Sequence, residues 1–264
     1  MGYKRITVEV PGKKSFQELE AYKKLRLNLQ FCGKDVKVIS FTSSLQNEGK
    51  SEISYNIAIS LAEMGKKVVY VDADLRNSAF TRTRKIESEL FGLAHHLIGE
   101  KTEEEVIHET QIEGFYVVSA GAFPPNPSEL LSQDVYKDFI KYCRSNFDYV
   151  IVDNAPLGLV VDCAITAPES DGIVMVIEQG RIPRALAKSV IDLCHKSGCK
   201  ILGVVLNKVS LSNSGSYGYG YGYGYGYGYG YGYGYGYGNY GQNSSDEQKK
   251  GFFKSLFSKN KTEE

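Results

Sequence analysis

Ser43-Ser44-Leu45-Gln46-Asn47-Glu48-Gly49-Lys50-Ser51 lies between an apolar, β-branched run (Val36 to Phe41) and a segment of helical character (Ser51 to Met64). A strand that feeds Gly-Lys-Ser at the mouth of a helix reads as a phosphate-binding loop. Successive backbone N–H groups and the positive helix N-terminus surround a phosphate, the lysine reaches the β- and γ-phosphates, and the hydroxyl binds Mg²⁺. The strict pattern has glycine six residues before the lysine, where this chain has Ser44. Gly-Lys-Ser alone recurs by chance, so the flanking strand and helix carry the reading. The candidate nucleotide contacts from this stretch are Asn47, Glu48, Gly49, Lys50, Ser51 and Glu52.

On both sides of the loop the chain alternates strand-like and helix-like segments. Nearly continuous apolar runs recur at Lys67 to Asp72, Phe115 to Ser119, Tyr149 to Asp153, Gly172 to Ile177 and Ile201 to Asn207, as expected of strands buried on both faces. Helical patterns cover Phe16 to Phe31, Glu129 to Arg144 and Pro183 to His195 as well as Ser51 to Met64. In the Glu129 segment, Leu131, Val135 and Phe139 fall on one helical face behind Ser128 as N-cap. Strands joined by helices of this length imply right-handed crossovers and an α/β fold: a three-layer, P-loop NTPase-like domain with a mainly parallel central sheet. Ligands of such sheets bind at the carboxyl ends of the strands.

Two of those ends carry carboxylates. Val71-Asp72-Ala73-Asp74-Leu75-Arg76 puts Asp72 and Asp74 on one side by the strand's period of two, and Val150-Ile151-Val152-Asp153 has the apolar-run-then-Asp form of a Walker B motif. A lone Asp at a strand end is commonly a polar turn or an N-cap. Three of them beside a Gly-Lys-Ser loop point instead to a Mg²⁺-nucleotide site.

Lysine plus arginine (31) equal aspartate plus glutamate (31), so no global field suggests nucleic acid as a partner. Cys32, Cys143, Cys163, Cys194 and Cys199 lack paired metal spacing and read as reduced thiols. No apolar run approaches the 18 or so residues of a membrane span, so a cytoplasmic protein is expected. The domain pattern stops after Asn207, giving an expected folded domain over 1–209 and a tail over 210–264. From Tyr217 to Gly238 the dipeptide Tyr-Gly repeats eleven times. Tyr217, Tyr219, Tyr221, Tyr223, Tyr225, Tyr227, Tyr229, Tyr231, Tyr233, Tyr235 and Tyr237, with Tyr240 beyond, account for twelve of the 20 tyrosines. Glycine leaves the backbone unrestrained and each ring uncrowded, so the tail is expected to be disordered and its phenols accessible. Beyond the repeat, Phe252, Phe253, Leu256 and Phe257 stand at helical spacing among lysines; a basic segment that touches an anionic membrane and a solvated tail fit equally well.

With the loop and the three carboxylates in hand, residues Ser15 to about Lys208 resemble the bacterial tyrosine kinases (BY-kinases) of capsule and exopolysaccharide clusters. The modified P-loop matches Ser43 to Ser51, the second Walker-like motif (A′) matches Val71 to Arg76, and Walker B matches Val150 to Asp153. Pro125 to Leu131 is similar to a segment typical of the family, and the tyrosine-rich tail also fits. Glu20, Lys23 and Arg26 match the Glu-x-x-Arg-x-x-Arg helix motif that packs neighbouring subunits into a ring, with lysine replacing the first arginine and losing its bidentate fork. Asn47 stands at a usual glycine and Gln46 at a frequent proline, so a different bend of the loop is expected; Walker B continues Asn154-Ala155-Pro156.

The resemblance implies ATP and Mg²⁺ as cofactors and a tyrosine kinase that phosphorylates its own tail cluster, in trans within a ring, to regulate polysaccharide synthesis and export. For that chemistry we assign Lys50 to the phosphates, Ser51 and Asp153 to Mg²⁺, Asp74 to a metal-linked or supporting role, and Asp72 to the proton of the attacking phenol. Asn207 resembles the adenine-contacting residue, although an Asn at a strand-to-loop junction is as plain a reading; Asp162 reads either as facing the site or as a helix N-cap. Implied partners are a transmembrane activator (a polysaccharide co-polymerase with a cytoplasmic tail), a cognate tyrosine phosphatase and protein substrates of polysaccharide synthesis, with the chain peripheral at the inner membrane face. A partitioning or division-site ATPase is the nearest rival, but Leu45 occupies the position of its second lysine. A scaffold with a self-associating Tyr-Gly tail would leave the strand-end carboxylates unexplained.

Overall fold

The computed structural model describes residues 2–78, 80–84, 86 and 90–209, all within one compact unit. The tyrosine array, the basic-aromatic C-terminus and the expected boundary at residue 210 lie outside the described residues. In chain order the elements are β1 (Lys4–Arg5), α1 (Phe16–Phe31), β2 (Val38–Ser43), α2 (Lys50–Ala62), β3 (Val68–Asp72), α3 (Phe80–Thr83), α4 (Leu93–Leu97), α5 (Glu103–Val106), β4 (His108–Glu109), β5 (Phe115–Val118), α6 (Pro127–Leu131), α7 (Asp134–Asn146), β6 (Tyr149–Asp153), α8 (Asp162–Thr166), β7 (Gly172–Glu178), α9 (Arg184–Lys196) and β8 (Ile201–Asn207).

One sheet of order β1-β4-β5-β3-β6-β2-β7-β8 gathers the eight strands of the described residues. Every pairing is parallel except β4 with β5. Strand alternation divides the buried side chains between two faces. Ile39, Phe41, Tyr70, Phe115 and Ile151 pack with Ile53, Ile57 and Leu61 of α2 and with Leu29 of α1. Val38, Val69, Val71, Val150 and Val152 pack with Leu93, Leu97, Leu131, Phe139 and Ile140. A third cluster joins Ile173 and Met175 of β7 to Val190 and Cys194 of α9. Burial on both faces is why β2, β3, β6 and most of β7 read as continuously apolar, whereas β8, at the edge of the sheet, leaves Val204 and Leu206 about half exposed.

The six long strands and three of the expected helices form where the sequence places them, within two residues at their ends. The expected helix from Glu129 to Arg144 is two helices. Asn126 precedes α6 with Pro127 in its first turn, Ser132 closes α6 by donating its N–H to Ser128 and Glu129 carbonyls, and Gln133 is extended before α7 starts. Ser128 is therefore inside α6 rather than its cap, and the break turns Val135 outward while Leu131 and Phe139 stay buried. β1 and β4 were not foreseen, since two residues are too few to show a period of two.

Phe139 is fully buried and packs against the His96 ring at a centroid distance of 5.2 Å. Truncation to alanine should lower unfolding stability by about 3–5 kcal/mol in a urea titration, while a loss below about 1 kcal/mol would deny it a core position.

Candidate functional site

The strand order builds the site. β2 leads into the Gly-Lys-Ser loop, and its neighbour β6 runs beside β3 in a register that sets Asp72 opposite Asp153. The ends of β3, β6 and β2 therefore place two carboxylates and the loop side by side. Gly49 precedes α2 at φ +95°, a left-handed conformation suited to glycine, and gives no side-chain cap. The N–H groups of the first turn of α2 are left for a bound anion. A Cβ at Gly49 would also lie 2.1 Å from Nδ2 of Asn207, so the residue is constrained twice.

Lys50 lies at the centre, only 9 % exposed. Its Nζ is 3.3 Å from Asp74 Oδ2 and 3.3 Å from Asp153 Oδ1, and it donates to Ser51 Oγ at 3.2 Å. Burial pulls its pKa down, but Asp153, Asp74 and Asp72 together hold it above the ordinary lysine value. Asp153 accepts from the Tyr70 hydroxyl at 3.1 Å, and burial raises its carboxyl despite the nearby Lys50 ammonium. Asp72 is 2 % exposed and accepts from the Ser78 hydroxyl and from the Asp74 N–H. Burial, then the Asp153 charge, push its carboxyl up to about 7 against the opposing effects of Ser78 and Lys50. Asp74 also accepts the Asn77 N–H at 3.0 Å.

These side chains face a cleft of about 380 Å³. The loop residues Gln46, Asn47, Gly49, Lys50, Ser51 and Glu52 line one side, and Asn77, Ser78, Phe80, Thr83 and Arg84 line another. Glu48 does not line it: its carboxylate is buried and accepts the N–H groups of Leu45 (2.7 Å) and Glu178 (3.2 Å). The Asn207 amide donates to the Glu48 carbonyl at 2.8 Å and so braces the loop from behind. Asn47 has φ +63°, in the left-handed region that asparagine tolerates.

Asp162 neither lines the cleft nor caps a helix. It is buried as the first residue of α8 and accepts Arg76 Nε at 2.6 Å and the Ser128 hydroxyl at 2.6 Å. Of the expected subunit-contact residues, Glu20 and Lys23 pair with each other at 2.8 Å on the exposed face of α1. Arg26 instead turns inward to the Ser60 carbonyl and hydroxyl.

Tyr70, Ser78 and Arg84 were not singled out from the sequence. Tyr70 had a signal, its place two residues before Asp72 on the same strand. Ser78 and Arg84 had none, because the irregular segment after β3 reaches the cleft only through the fold. Arg84 is buried over the Tyr55 ring, 3.9 Å from its centroid, with its guanidinium 2.7 Å from Glu52.

The donor set suits a magnesium nucleotide. Lys50 and the free N–H groups of α2 would hold phosphate oxygens, and Ser51, Asp74 and Asp153 would hold Mg²⁺. Magnesium typically takes one or two carboxylates, completing its shell with phosphate oxygens and water. An ammonium already seated among these carboxylates shows that the pocket accommodates positive charge.

The model of the AAA domain family matches residues 36–187. The tyrosine-protein kinase CpsD of Streptococcus agalactiae serotype Ia is 40% identical over 193 residues, covering 73% of this chain and 83% of its own. The succinoglycan biosynthesis transport protein ExoP of Rhizobium meliloti is 36% identical over 217 residues, covering 80% of this chain and 27% of its own. Among solved structures, the kinase domain of the Escherichia coli tyrosine kinase ETK matches with a TM-score of 0.70 and 26% identity, covering 84% of this chain and 95% of that one.

In the nucleotide-free chain, native Asp72 keeps a proton that the unfolded chain releases above about pH 4. The native state binds the extra proton, so stability falls as pH rises from about 4 to about 7 and then levels off. Asp72→Asn should therefore melt above the parent at pH 8, with the gap narrowing at pH 5. An equal gap at both values would refute a raised carboxyl.

Proposed function

The chain belongs to the bacterial tyrosine kinases, and from that premise we propose that it transfers the γ-phosphoryl group of ATP to the phenols of its own Tyr217 to Tyr240 cluster, in trans within an oligomer. The observation that carries this reading is the Lys50 ammonium, set at the N-terminus of α2 within 3.3 Å of both Asp74 and Asp153.

Phosphoryl transfer calls for positioning and charge neutralisation more than for covalent chemistry. Lys50 and the first-turn N–H groups of α2 hold the β- and γ-phosphates, and Ser51, Asp74 and Asp153 hold Mg²⁺, which neutralises charge building on the phosphate oxygens. The phenol oxygen attacks the γ-phosphorus as the bond to the β–γ bridging oxygen breaks and ADP leaves. The phenol proton passes to Asp72. A free phenol titrates near 10, but in a loose transition state its proton leaves late, and a carboxylate poised near neutrality suits that task. Ser78 orients Asp72 through its hydroxyl, and Tyr70 orients Asp153. Asn207 acts on the nucleotide through the Glu48 carbonyl that it braces.

Tyr217 stands ten positions after Asn207, a reach of roughly 33 Å, which puts the start of the array within range of its own cleft and of a neighbour's. Each phosphotyrosine adds about −1.5 to −2 charge, so twelve would make the tail a polyanion of roughly −20. Like-charge repulsion then loosens a tail-docked ring built through the α1 helices. Similarity to CpsD and ExoP supports a role in polysaccharide synthesis. In that role the chain works at the inner membrane face through a transmembrane co-polymerase, a tyrosine phosphatase resets the array, and other proteins of capsule or exopolysaccharide synthesis are further substrates. No helix of the described residues is long and apolar enough to cross a membrane.

Lys50→Met should abolish ATP-dependent phosphotyrosine; modification of the purified variant would overturn the assignment. Mixed as a tagged substrate with an active chain truncated at Ser216, the same variant should gain phosphotyrosine along 217–240, read by mass spectrometry. No transfer in that mixture would leave only a cis reaction. Full phosphorylation should lower the oligomer size measured by light scattering, and an unchanged size would refute the repulsion mechanism.

A further inference from the structure

We propose that Lys208, together with Arg181, is a positioning residue for the phosphate-binding loop and couples that loop to the root of the tyrosine array. The inference rests on the reading of the cleft as a nucleotide site and goes on to its regulation. At Asn47 the loop occupies the left-handed region, which asparagine tolerates and which the surrounding structure must hold. The Asn47 carbonyl accepts Lys208 Nζ at 2.8 Å and Arg181 at 3.4 Å. Both cations also meet one oxygen of Glu178, at 3.0 Å and 2.7 Å. Glu178 closes the circle through its N–H, which donates to the Glu48 carboxylate. The outer arm of the loop is thus clamped to the ends of β7 and β8.

Lys208 and Arg181 are 47% and 34% exposed in their side chains, so their ion pairs with Glu178 are solvent-screened and individually weak. The bonds to the Asn47 carbonyl are different in kind. They are charge-assisted and hold a strained residue of a loop that must be formed before phosphate can bind. Exposure also leaves both cations open to competition. Lys208 stands nine residues before Tyr217, and each phosphotyrosine offers a dianion that competes with the carbonyl and Glu178 for the same cations. Linkage is reciprocal: if a modified array draws Lys208 off, nucleotide affinity falls, and bound nucleotide resists that movement equally. The array then restrains the reaction that modifies it.

The test titrates the full chain with a fluorescent ADP analogue. Lys208→Met should bind it about three- to tenfold more weakly than the parent, and Lys208→Arg within about twofold. KM for ATP should rise more than kcat falls. In nucleotide-free chains, amide exchange across residues 45–49 should be faster in Lys208→Met. Full phosphorylation of the parent should weaken binding similarly and add little in Lys208→Met. Should Lys208→Met melt early, Lys208→Gln keeps the stem with a neutral head and serves the same comparison. A parent that binds the analogue while both neutral variants bind equally well overturns the latch alone. Equal affinity of phosphorylated and unphosphorylated parent overturns the coupling to the array. A parent that does not bind at all overturns the nucleotide reading, and the latch with it.

Discussion

The buried ammonium of Lys50 among Asp74, Asp153 and Asp72 is the constraint around which the rest of the structure is arranged. Burying one cation or one carboxylate without a partner is strongly unfavourable, and even a paired set needs good geometry to offset desolvation. One ammonium faces three carboxylates, and burial with neighbouring negative charge pushes two of them, Asp72 and Asp153, toward protonation. Such a cluster would be balanced by a magnesium nucleotide, whose metal ion offsets the carboxylates while its phosphates offset the ammonium.

That arrangement requires a particular strand order. Asp72 and Asp153 face each other because β6 lies between β3 and β2, although it comes much later in the chain. The parallel register aligns the carboxyl ends of all three strands. The apolar residues beneath them, buried on both faces, make the ends a rigid platform. On it the loop is held from behind by Glu48 and Asn207 and at its apex by Lys208 and Arg181. The Arg76–Asp162–Ser128 cluster ties the segment after β3 to α8 and α6 in the same manner. Polar groups that carry no phosphate thus hold the strand-end loops that do.

Much of this was legible in the chain. Continuous β-branched runs marked the long strands, and Gly-Lys-Ser with the strand-end aspartates marked the cleft, because burial and phosphate binding each demand particular residue types at fixed spacing. The break at Ser132 and Gln133 was not legible, since the apolar period runs on through it and the turn depends on hydrogen bonds to α6 carbonyls. Nor were Ser78 and Arg84, which reach the cleft from an irregular segment. The directions of the Glu48 and Asp162 side chains were not legible for a related reason: motif position shows that a carboxylate is near the site but not which way it points.

Sequence alone determined the α/β class, the loop, the three carboxylates and the array of phenols that follows the last strand, because local periodicity and residue chemistry suffice for each. Tertiary structure decided which carboxylate faces Lys50, what holds Asn47 in its left-handed turn and where the side chain of Lys208 attaches. Those outcomes depend on contacts between residues far apart in the chain, whose energies exist only once the sheet has set its order.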